Sequence, residues 1–595
     1  GLVNLQIDPL SAFFLLLIAV LTAVLSFYSQ AYIGHYKESE KPVRTHYFMT
    51  NVFIISMILV VMAQNSIFFL IVWELMSLSS FLLMTFESEK KEVRKACLSY
   101  FVWMHIAVVF LIFAFTKASL ASGHSVDFND FRLMLPGSAQ LDLIFILFFI
   151  GFGIKAGFVP FHSWLVKAHP SAPANISGVM SALMLKIGLY GILRMLEITA
   201  INSFSVALFV TGIALLSVLW GIIYAVIQRD IKAILAYSSI ENIGIITLGI
   251  GVAMLGNYYG NPLVSLLGLC GALYHILNHA LCKCTLFFSA GNVYSFMHER
   301  HIDKLGGLAK SMKYTSVFAL IASLSICALP PFNGFISEFI IYLSMFKGIN
   351  GQSPETSLVF IISLVLLSCV GVISLFAFTR FYAFTFLGSP RAESSHHCET
   401  KVDASVSPLI LLLVLIMLSI VLAGPISVLL FGISGQILHV SSAQTVIDYS
   451  PMISQIAVIS LAFIGMLAFM LGLKLLINRN HKQVPFKTWD CGFQAGTSKM
   501  QYTGSSYSVD FYHLTHIFFK KKTMSDDLKA LFPKDHSSNT IYSDLFDSLV
   551  KQRYSLALKK TVNYFSRIQS GNTRNYLMYG VIFLLILIIY VTFTG

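Results

Sequence analysis

The sequence predicts an all-α, polytopic membrane protein with about fourteen transmembrane helices. Of its 595 residues, 56% are hydrophobic and only 11% are charged, and the mean hydropathy is +0.77. A typical soluble domain has about 25% charged residues, so this composition excludes one. A bilayer offers no water to backbone polar groups, and the apolar segments that cross it must therefore be helices.

The apolar runs recur along the whole chain with short polar segments between them. Each is close to the roughly 20 residues that a helix needs to cross the hydrocarbon core. The first run has no basic residue before it and is too long for the core of a signal peptide, so we expect it to span. Because the chain begins with Gly1 and not with methionine, we expect earlier residues in the gene product. The runs lie near 9–34, 48–64, 66–86, 97–121, 141–165, 174–198, 202–227, 231–255, 262–294, 314–346, 357–388, 407–432, 452–478 and 575–593.

Lysine and arginine in the short loops predict the orientation of the chain, since these residues are enriched in cytoplasmic loops. Alternate loops contain nearly all of them, whereas the opposite loops contain Arg132 and Lys347. We therefore expect the basic loops and segment 479–573 in the cytoplasm, and both termini outside. The basic loops contain Lys37, Lys41, Arg44, Lys90, Lys91, Arg94, Lys95, Lys167, Arg229, Lys232, Arg300, Lys304, Lys310, Lys313, Arg391 and Lys401.

This asymmetry explains the net charge of +12 without a nucleic-acid partner. Anionic lipid headgroups are the ordinary partners of such loops. The eight cysteines show no paired loop spacing, and most lie inside predicted spans. Neither a disulfide framework nor an iron–sulfur site is indicated.

We divide the chain into a transmembrane domain over 1–478, a cytoplasmic segment over 479–573 and a C-terminal anchor helix over 574–595. From about Tyr542 to Ile568, apolar residues recur at helical spacing with basic residues between them. This pattern predicts an amphipathic helix that lies along the membrane surface or on neighbouring helices. A plain linker helix is the alternative.

Ionisable side chains inside the predicted spans indicate the function. A charged side chain at the bilayer centre costs roughly 3 kcal/mol or more unless it is paired or faces water. A single such residue could belong to a structural ion pair, but their spread over many spans favours an ion pathway. They are Glu74, Lys155, Lys186, Glu241, His275, His279, Lys283 and Glu338, with Arg194, Glu197 and Arg380 nearer the helix ends.

His275, His279 and Lys283, called here the His–Lys line, occur at positions i, i+4 and i+8 and so project from one helix face. Imidazole exchanges protons near neutral pH, and burial allows a lysine to release its proton reversibly. A zinc site that adds Cys282 and Cys284 is disfavoured, because both cysteines cannot point with the histidines. The line therefore favours proton conduction.

Two predicted spans contain helix breakers beside a charge. Lys155 precedes Gly157 and Pro160, and the string LPPFNG at 329–334 precedes Glu338. Backbone groups freed by such breaks are tolerated in a membrane where they line a cavity or contact protein. Four spans separate the two breaks, which predicts two inverted repeats of about five helices each.

Four strings resemble the antiporter-like membrane subunits of respiratory complex I and of multi-subunit cation/proton antiporters. They are WELMSLSSF at 73–81, KAGFVPFHSWL at 155–165, DIKAILAYSS at 230–239 and HILNHALCK at 275–283. This resemblance extends over residues 8–430, and family members usually have two further helices before that region. A finer similarity to the large membrane subunits of the formate hydrogenlyase and hydrogenase-4 group rests on ENIGI at 241–245, WDCGF at 489–493 and MQY at 500–502.

The resemblance implies roles for individual residues. Glu74 and Lys155 would form a pair whose making and breaking sets the proton affinity of the lysine. Lys186 and the His–Lys line would conduct protons along the middle of the membrane, and Glu338 would be the terminal group near the outer exit. Distal complex I subunits have lysine at the position of Glu338, which leaves the exit chemistry open.

Three further residues lie inside the family-like strings and are possible members of the pathway. They are His162, Lys232 and Glu241. Each could equally be a helix-end or packing residue.

The resemblance also implies a function: translocation of H⁺ or Na⁺ by a membrane subunit of a redox-driven complex of the membrane-bound hydrogenase type. We expect no catalytic site, cofactor or metal in this chain, and nickel–iron and iron–sulfur centres in partner subunits. The expected partners are other membrane subunits, a peripheral cytoplasmic redox arm and lipids, in a bacterial or archaeal inner membrane. A complex I-type dehydrogenase subunit, or an antiporter or other solute transporter module without a redox partner, remains an alternative.

Overall fold

The computed structural model describes residues 4–34, 36, 42–134, 139–349, 353–391, 405–479, 500–525, 538–546 and 548. The chain forms two compact units, Gly1–Leu514 and Thr515–Gly595, which are described separately. Within the described residues, every regular element of the first unit is a helix. The predicted all-α membrane fold is confirmed for this unit.

The described residues in the first half of this unit form nine α-helices of very different length. Asn65 begins α3, where its side chain accepts hydrogen bonds from the backbone N–H groups of Ile67 and Phe68. A π-helical turn, Met180–Met184, joins α8 to α9. The helices are α1 (Pro9–Gly34), α2 (Val43–Met62), α3 (Ser66–Met84), α4 (Lys91–Ala121), α5 (Phe128–Phe131), α6 (Ala139–Ala156), α7 (Ser163–Ser171), α8 (Ala174–Val179) and α9 (Leu185–Thr199).

The second half of the unit continues with longer helices. Two of them, α16 and α17, meet at a bend of 76°. The helices are α10 (Phe204–Ile227), α11 (Ile231–Tyr258), α12 (Pro262–Met297), α13 (Lys313–Ile326), α14 (Asn333–Ile349), α15 (Pro354–Phe386), α16 (Ser407–Val421), α17 (Ala423–Leu438), α18 (Ala443–Asn478), α19 (Gly504–Tyr507) and α20 (Val509–Thr515).

Each of the thirteen predicted spans up to residue 478 contains one or more helices, and the spans 141–165 and 314–346 are each divided between two helices. In the part of the chain that the structure describes, ten helices are long and apolar enough to cross a membrane, or eleven with the bent pair α16–α17. The helices often extend beyond the predicted runs, as where α4 begins at Lys91 and α12 ends at Met297, because hydropathy marks the apolar middle of a helix and not its polar ends. The fourteenth predicted span, 575–593, lies outside the described residues.

Both predicted helix breaks are present. The first separates α6 from α7 and includes Gly157, whose φ of +86° is one that residues other than glycine rarely adopt. The second separates α13 from α14, and a Cβ atom on Gly334 would lie 1.9 Å from the carbonyl oxygen of Ser325. Glycine is therefore required for the close approach of α14 to α13.

The order of helix contacts repeats along the chain. In the first set α2 packs on α3, α3 on α4 and α4 on α6; in the second set α10 packs on α11, α11 on α12 and α12 on α14. The broken span is the fourth of five in each set. Because five is odd, the second set must start from the opposite side of the membrane, as predicted for inverted repeats.

The span α8–α9 and helix α11 are surrounded by other helices on all sides, and α12 is nearly so. Polar side chains on these helices therefore face protein and not lipid. This arrangement allows ionisable groups to collect at the centre of the unit.

The MQY string, which follows α18 in the sequence, contacts the residues at the ends of other helices. Gln501 Oε1 accepts a hydrogen bond from the backbone N–H of Ser389 at 3.1 Å, and its Nε2 donates to the Ser389 carbonyl at 2.8 Å. The buried guanidinium of Arg380 donates to the carbonyls of Gly504 at 2.6 Å and Val226 at 2.8 Å. Residues 501–504 thus join the ends of α10 and α15.

The second unit contains a two-stranded antiparallel sheet, β1 (Phe519–Ser525) and β2 (Ser538–Asp544), in which Phe519 is opposite Asp544. Residues 542–544, at the predicted start of the amphipathic helix, instead belong to β2, whereas residues 545, 546 and 548 are helical. Backbone pairing with β1 overrides the helical spacing there. The rest of that helix beyond 548, the anchor helix 574–595 and the WDCGF string lie outside the described residues.

Candidate ion-translocation site

Lys155 lies in the last turn of α6 and is completely buried. Its Nζ donates hydrogen bonds to Ser77 Oγ at 2.9 Å and to Tyr100 Oη at 3.4 Å. The same nitrogen is 5.6 Å from the ring centroid of Trp73 and 5.7 Å from that of Tyr100. Neutral hydroxyl groups and ring faces, and not a carboxylate, hold this lysine.

Glu74 is on α3, one turn before Ser77. Its Oε2 lies 3.7 Å from Nε2 of His105 on α4, and its side chain is 27% exposed. Glu74 and Lys155, the implied pair, therefore make no direct contact in the structure: the partly exposed carboxylate contacts His105, and Ser77 and Tyr100 contact the buried lysine. His105 is a partner that the sequence analysis missed.

Lys186 lies just after the π-helical turn that joins α8 to α9. Its Nζ donates to the carbonyl of Ser181 at 2.6 Å. A π-turn releases backbone carbonyls from the helical pattern and is common at functional sites. The hydroxyl of Ser181 lies 2.8 Å from that of Ser239 on α11, which joins the Lys186 region to the central helix.

Lys283 contacts the same part of α11. Its Nζ donates to the carbonyl of Leu235 at 2.9 Å and to the hydroxyl of Ser238. Ser238 and Ser239 are adjacent, so α11 connects Lys283 to Lys186 through two neighbouring serines. Both serines lie in the DIKAILAYSS string, although the sequence alone did not assign them a role.

The two histidines of the His–Lys line lie on one face of α12, as their spacing predicts. Their rings are parallel, with centroids 6.3 Å apart. His275 Nε2 is 3.1 Å from Asn242 Oδ1 and its Nδ1 is 3.0 Å from Ser337 Oγ. His279 is buried, and neither ring nitrogen has a hydrogen-bond partner within the described part of the chain.

Glu338 and Glu241 line one small buried cavity together with Cys327 and Ser374. His275 contacts Ser337 on α14 and Asn242 on α11. Glu338 follows Ser337 in the sequence, and Glu241 precedes Asn242. The two carboxylates therefore lie beside the far end of the His–Lys line. The structure brings Glu241 into the predicted site.

Lys186, Lys283, His275, His279, Glu241 and Glu338 thus form one buried group, called here the central belt. Lys155 is linked to it through Tyr100, whose Oη is 3.5 Å from the sulfur of Met184 in the π-turn. His162 is buried at the α6–α7 break, with its ring centroid 6.3 Å from that of Tyr237.

Lys232 lies apart from the central belt, at the start of α11, and its Nζ donates to the carbonyl of Ala172 at 2.9 Å. His169, which the sequence analysis missed, is completely buried in α7, and its ring nitrogens have no partner among the described residues. Histidine beside proline in the string KAHP was the available signal. No group of three metal-binding side chains occurs in the described ranges.

A second cluster lies at the other end of α9. Arg194 is buried and pairs with Asp8, at 2.8 Å between Nη2 and Oδ1, and with Glu197 at 2.5 Å. Arg132 pairs with the same Glu197 at 2.9 Å. This cluster, called here the Arg194 cluster, borders a cavity of about 690 Å³ that also contacts His439.

We expect acid to weaken the Arg194 cluster through Asp8. Burial raises the pKa of Asp8, but the hydrogen bond and charge of Arg194 and the contacts with Ser11 outweigh burial and lower it. A carboxyl group with a lowered pKa stabilises the folded state above its unfolded value of about 4, and this stability is lost as the pH falls. Asp8→Asn should therefore lower the midpoint of thermal unfolding at pH 7. Between pH 5 and pH 3, the midpoint of this variant should fall less than that of the wild type. Asp448→Asn, at an exposed carboxylate, is the control, and equal acid sensitivity of Asp8→Asn and wild type would contradict this prediction.

The fold and the site define a class of protein. Two inverted five-helix repeats with broken fourth spans surround a belt of buried lysine, histidine and glutamate side chains, which is the architecture of an antiporter-like membrane subunit. The chain belongs to the NADH:quinone oxidoreductase/Mrp antiporter transmembrane family, whose model matches residues 63–367.

Two relatives from Escherichia coli strain K12 support this assignment. The chain is 33% identical to hydrogenase-4 component B, over 98% of this chain and 88% of the relative. It is 32% identical to formate hydrogenlyase subunit 3, over 70% of this chain and 66% of the relative. The names of both relatives describe parts of larger assemblies, and the family match identifies this chain as an ion-translocating membrane subunit.

Two solved structures share the fold. An archaeal membrane-bound sulfane sulfur reductase superposes with a TM-score of 0.63 at 21% identity, over 75% of this chain and 85% of the other. The Mrp complex from Dietzia sp. DQ12-45-1b gives 0.62 at 18% identity, over 74% and 86%. These similarities confirm the predicted antiporter-like fold.

Proposed function

We propose that this chain carries protons across the inner membrane as a subunit of a redox-driven complex of the membrane-bound hydrogenase type. The observation that carries the proposal is the central belt, in which buried lysines, histidines and carboxylates lie beside one another on α9, α11, α12 and α14. Isolated buried charges are costly in a membrane. A connected series of them is useful where protons pass from one group to the next.

The chemistry of the belt favours H⁺ over Na⁺. Lysine ammonium groups have hydrogen-bond donors and no acceptor, so Lys155, Lys186 and Lys283 cannot coordinate a metal cation. Bound Na⁺ would need a cage of oxygen ligands near each of these positions. Lysine and histidine can instead bind and release protons.

We infer an indirect drive, in which charge movement or a conformational change in a partner alters the environment of Glu74 and Lys155. Moving one charge against 100 mV costs about 2.3 kcal/mol. Removing an opposite charge near a buried group changes its proton binding by roughly 1.4–4 kcal/mol. These energies are sufficient for pumping. A change at the Glu74–His105 contact would alter the electrostatic environment of Lys155.

The expected neighbours follow from the relatives and from the Glu74 face. Ile71 and Leu75, on the same part of α3, are 61% and 41% exposed. A carboxylate among such residues would be costly against lipid, which supports coverage by a neighbouring membrane subunit. The names of the relatives further favour a peripheral cytoplasmic redox arm, with nickel–iron and iron–sulfur centres in those partners and with the basic loops of this chain on the cytoplasmic side.

Formation of a pH gradient by everted vesicles that contain the complex tests this function. Lys283→Met should reduce the initial rate of gradient formation by about 10²-fold, the lower range for a positioned proton-transfer group, while redox turnover with an uncoupler continues. Lys313→Met, at an exposed lysine that begins α13, should pump like wild type. Normal pumping by Lys283→Met would contradict the proposal, and cation exchange without a redox partner would favour the antiporter alternative.

A further inference from the structure

A polar cleft lies at the opposite end of the unit from the Arg194 cluster. Asp8 immediately precedes α1, whereas Tyr36 follows its last residue, so α1 separates the two regions by about 39 Å at 1.5 Å per residue. The cleft has a volume of about 60 Å³, which is room for several water molecules. Its charged lining residues are Glu87, Lys90, Glu92, Lys232 and Arg300, and Tyr32 and Tyr294 also line it.

Glu87 lies at the mouth of the cleft. Its carboxylate accepts a hydrogen bond from Tyr36 Oη at 3.3 Å and pairs with Lys90 Nζ at 2.5 Å. The side chain is 17% exposed, so it remains accessible to water. A carboxylate in this position can take protons from solution and pass them inward through water in the cleft.

Lys232 forms the floor of the cleft and is 2% exposed. Its Nζ contact with the Ala172 carbonyl ties it to the α7–α8 connection. Arg300 also fixes this part of the cleft. Its guanidinium donates to the carbonyl of Pro170 and lies 3.3 Å from the Asp230 carboxylate. The floor is therefore a buried, titratable amine held in a rigid setting.

His169 lies in the last turn of α7, next to this floor. It precedes Ala172 by three residues, and its carbonyl accepts a 2.8 Å hydrogen bond from Ser177 on α8. Its ring centroid is 5.0 Å from that of Phe287 on α12, one turn after Lys283. The buried ring has no hydrogen-bond partner in the described part of the chain, and it lies close both to the floor of the cleft and to α12.

We propose that this cleft is the proton-uptake site, in which Glu87 captures protons from the cytoplasm and Lys232 relays them through His169 to Lys186 and Lys283. The inference rests on the proposed function and adds to it the uptake end of the path. The loops that form the cleft are those whose basic residues predict a cytoplasmic location. The step conserves protons, since one proton leaves the cytoplasmic water and the same proton enters the central belt.

Everted vesicles expose the cytoplasmic face to the medium and so test uptake directly. Glu87→Gln and Lys232→Met are compared at pH 6 and pH 8 with wild type, with Lys155→Met and with Glu89→Gln. Glu89 is an exposed carboxylate in the same loop that does not line the cleft. Both cleft variants should form the gradient about tenfold more slowly at pH 8, where protons are scarce, and be closer to wild type at pH 6. Glu89→Gln should match wild type at both pH values.

The outcomes separate the two proposals. Slow pumping by both cleft variants, with the subunit assembled and uncoupled redox turnover intact, supports the uptake site. If they pump like wild type while Lys155→Met does not, uptake occurs elsewhere and the proposed function stands. If Lys155→Met also pumps normally, the proposed function fails as well. Glu87→Asp keeps a carboxylate, so its failure to restore the pH 8 rate would also overturn the assignment to Glu87.

Discussion

Replacing Lys155 with methionine is expected to abolish gradient formation by everted vesicles and to leave uncoupled redox turnover in place. Methionine has nearly the volume of lysine without its proton, so packing against Trp73 and Tyr100 should persist. The hydroxyls of Ser77 and Tyr100 keep other partners, because Ser77 donates to the Trp73 carbonyl at 3.0 Å and Tyr100 lies 2.5 Å from the Ser80 hydroxyl. The loss should be at least about 10²-fold, as for other positioned proton-transfer groups.

Lys155→Arg distinguishes proton transfer from charge alone. Arginine keeps a cation at the position but does not release its proton at physiological pH. We expect it to fail as completely as methionine does. Pumping by Lys155→Arg would show that Lys155 acts as a fixed charge, and pumping by both variants would remove the residue from the path.

Replacing Arg194 with methionine is expected to lower the free energy of unfolding by about 3–5 kcal/mol, the usual cost of removing one partner from a buried ion pair. The substitution leaves two carboxylates, Asp8 and Glu197, without their main cation. It also removes the 2.9 Å hydrogen bond to Ser11 Oγ and the contact of the guanidinium with the Tyr190 ring. Thermal unfolding of the purified complex in detergent measures the effect.

Arg132→Met is the matched control in the same cluster. Arg132 shares Glu197 with Arg194, but its side chain is 46% exposed, whereas that of Arg194 is 2% exposed. Exposed ion pairs contribute about 0–1 kcal/mol, so this variant should unfold close to the wild-type temperature. Equal losses for the two variants would contradict the view that burial makes Arg194 important.

The sequence by itself determined the class, the spans and the titratable groups. Lipid forces long apolar runs to be helical, so the predicted runs up to residue 478 contain helices. The breakers beside Lys155 and Glu338 identified the two broken spans. The cost of burying charge identified the lysines, histidines and glutamates, and the i, i+4 spacing placed His275 and His279 on one face. These conclusions depend on local sequence patterns, because a bilayer requires helical spans and makes buried charge costly.

The tertiary structure alone decided which groups meet. Contacts between residues distant in sequence, such as Ser181 with Ser239 or His275 with Ser337, depend on helix packing, which periodicity does not encode. For the same reason local patterns indicated neither His105 as the partner of Glu74 nor the cleft that Glu87 and Lys232 share. Residues 542–544 have helical spacing but pair with β1. In each case long-range packing and hydrogen bonding, and not local propensity, fixed the result.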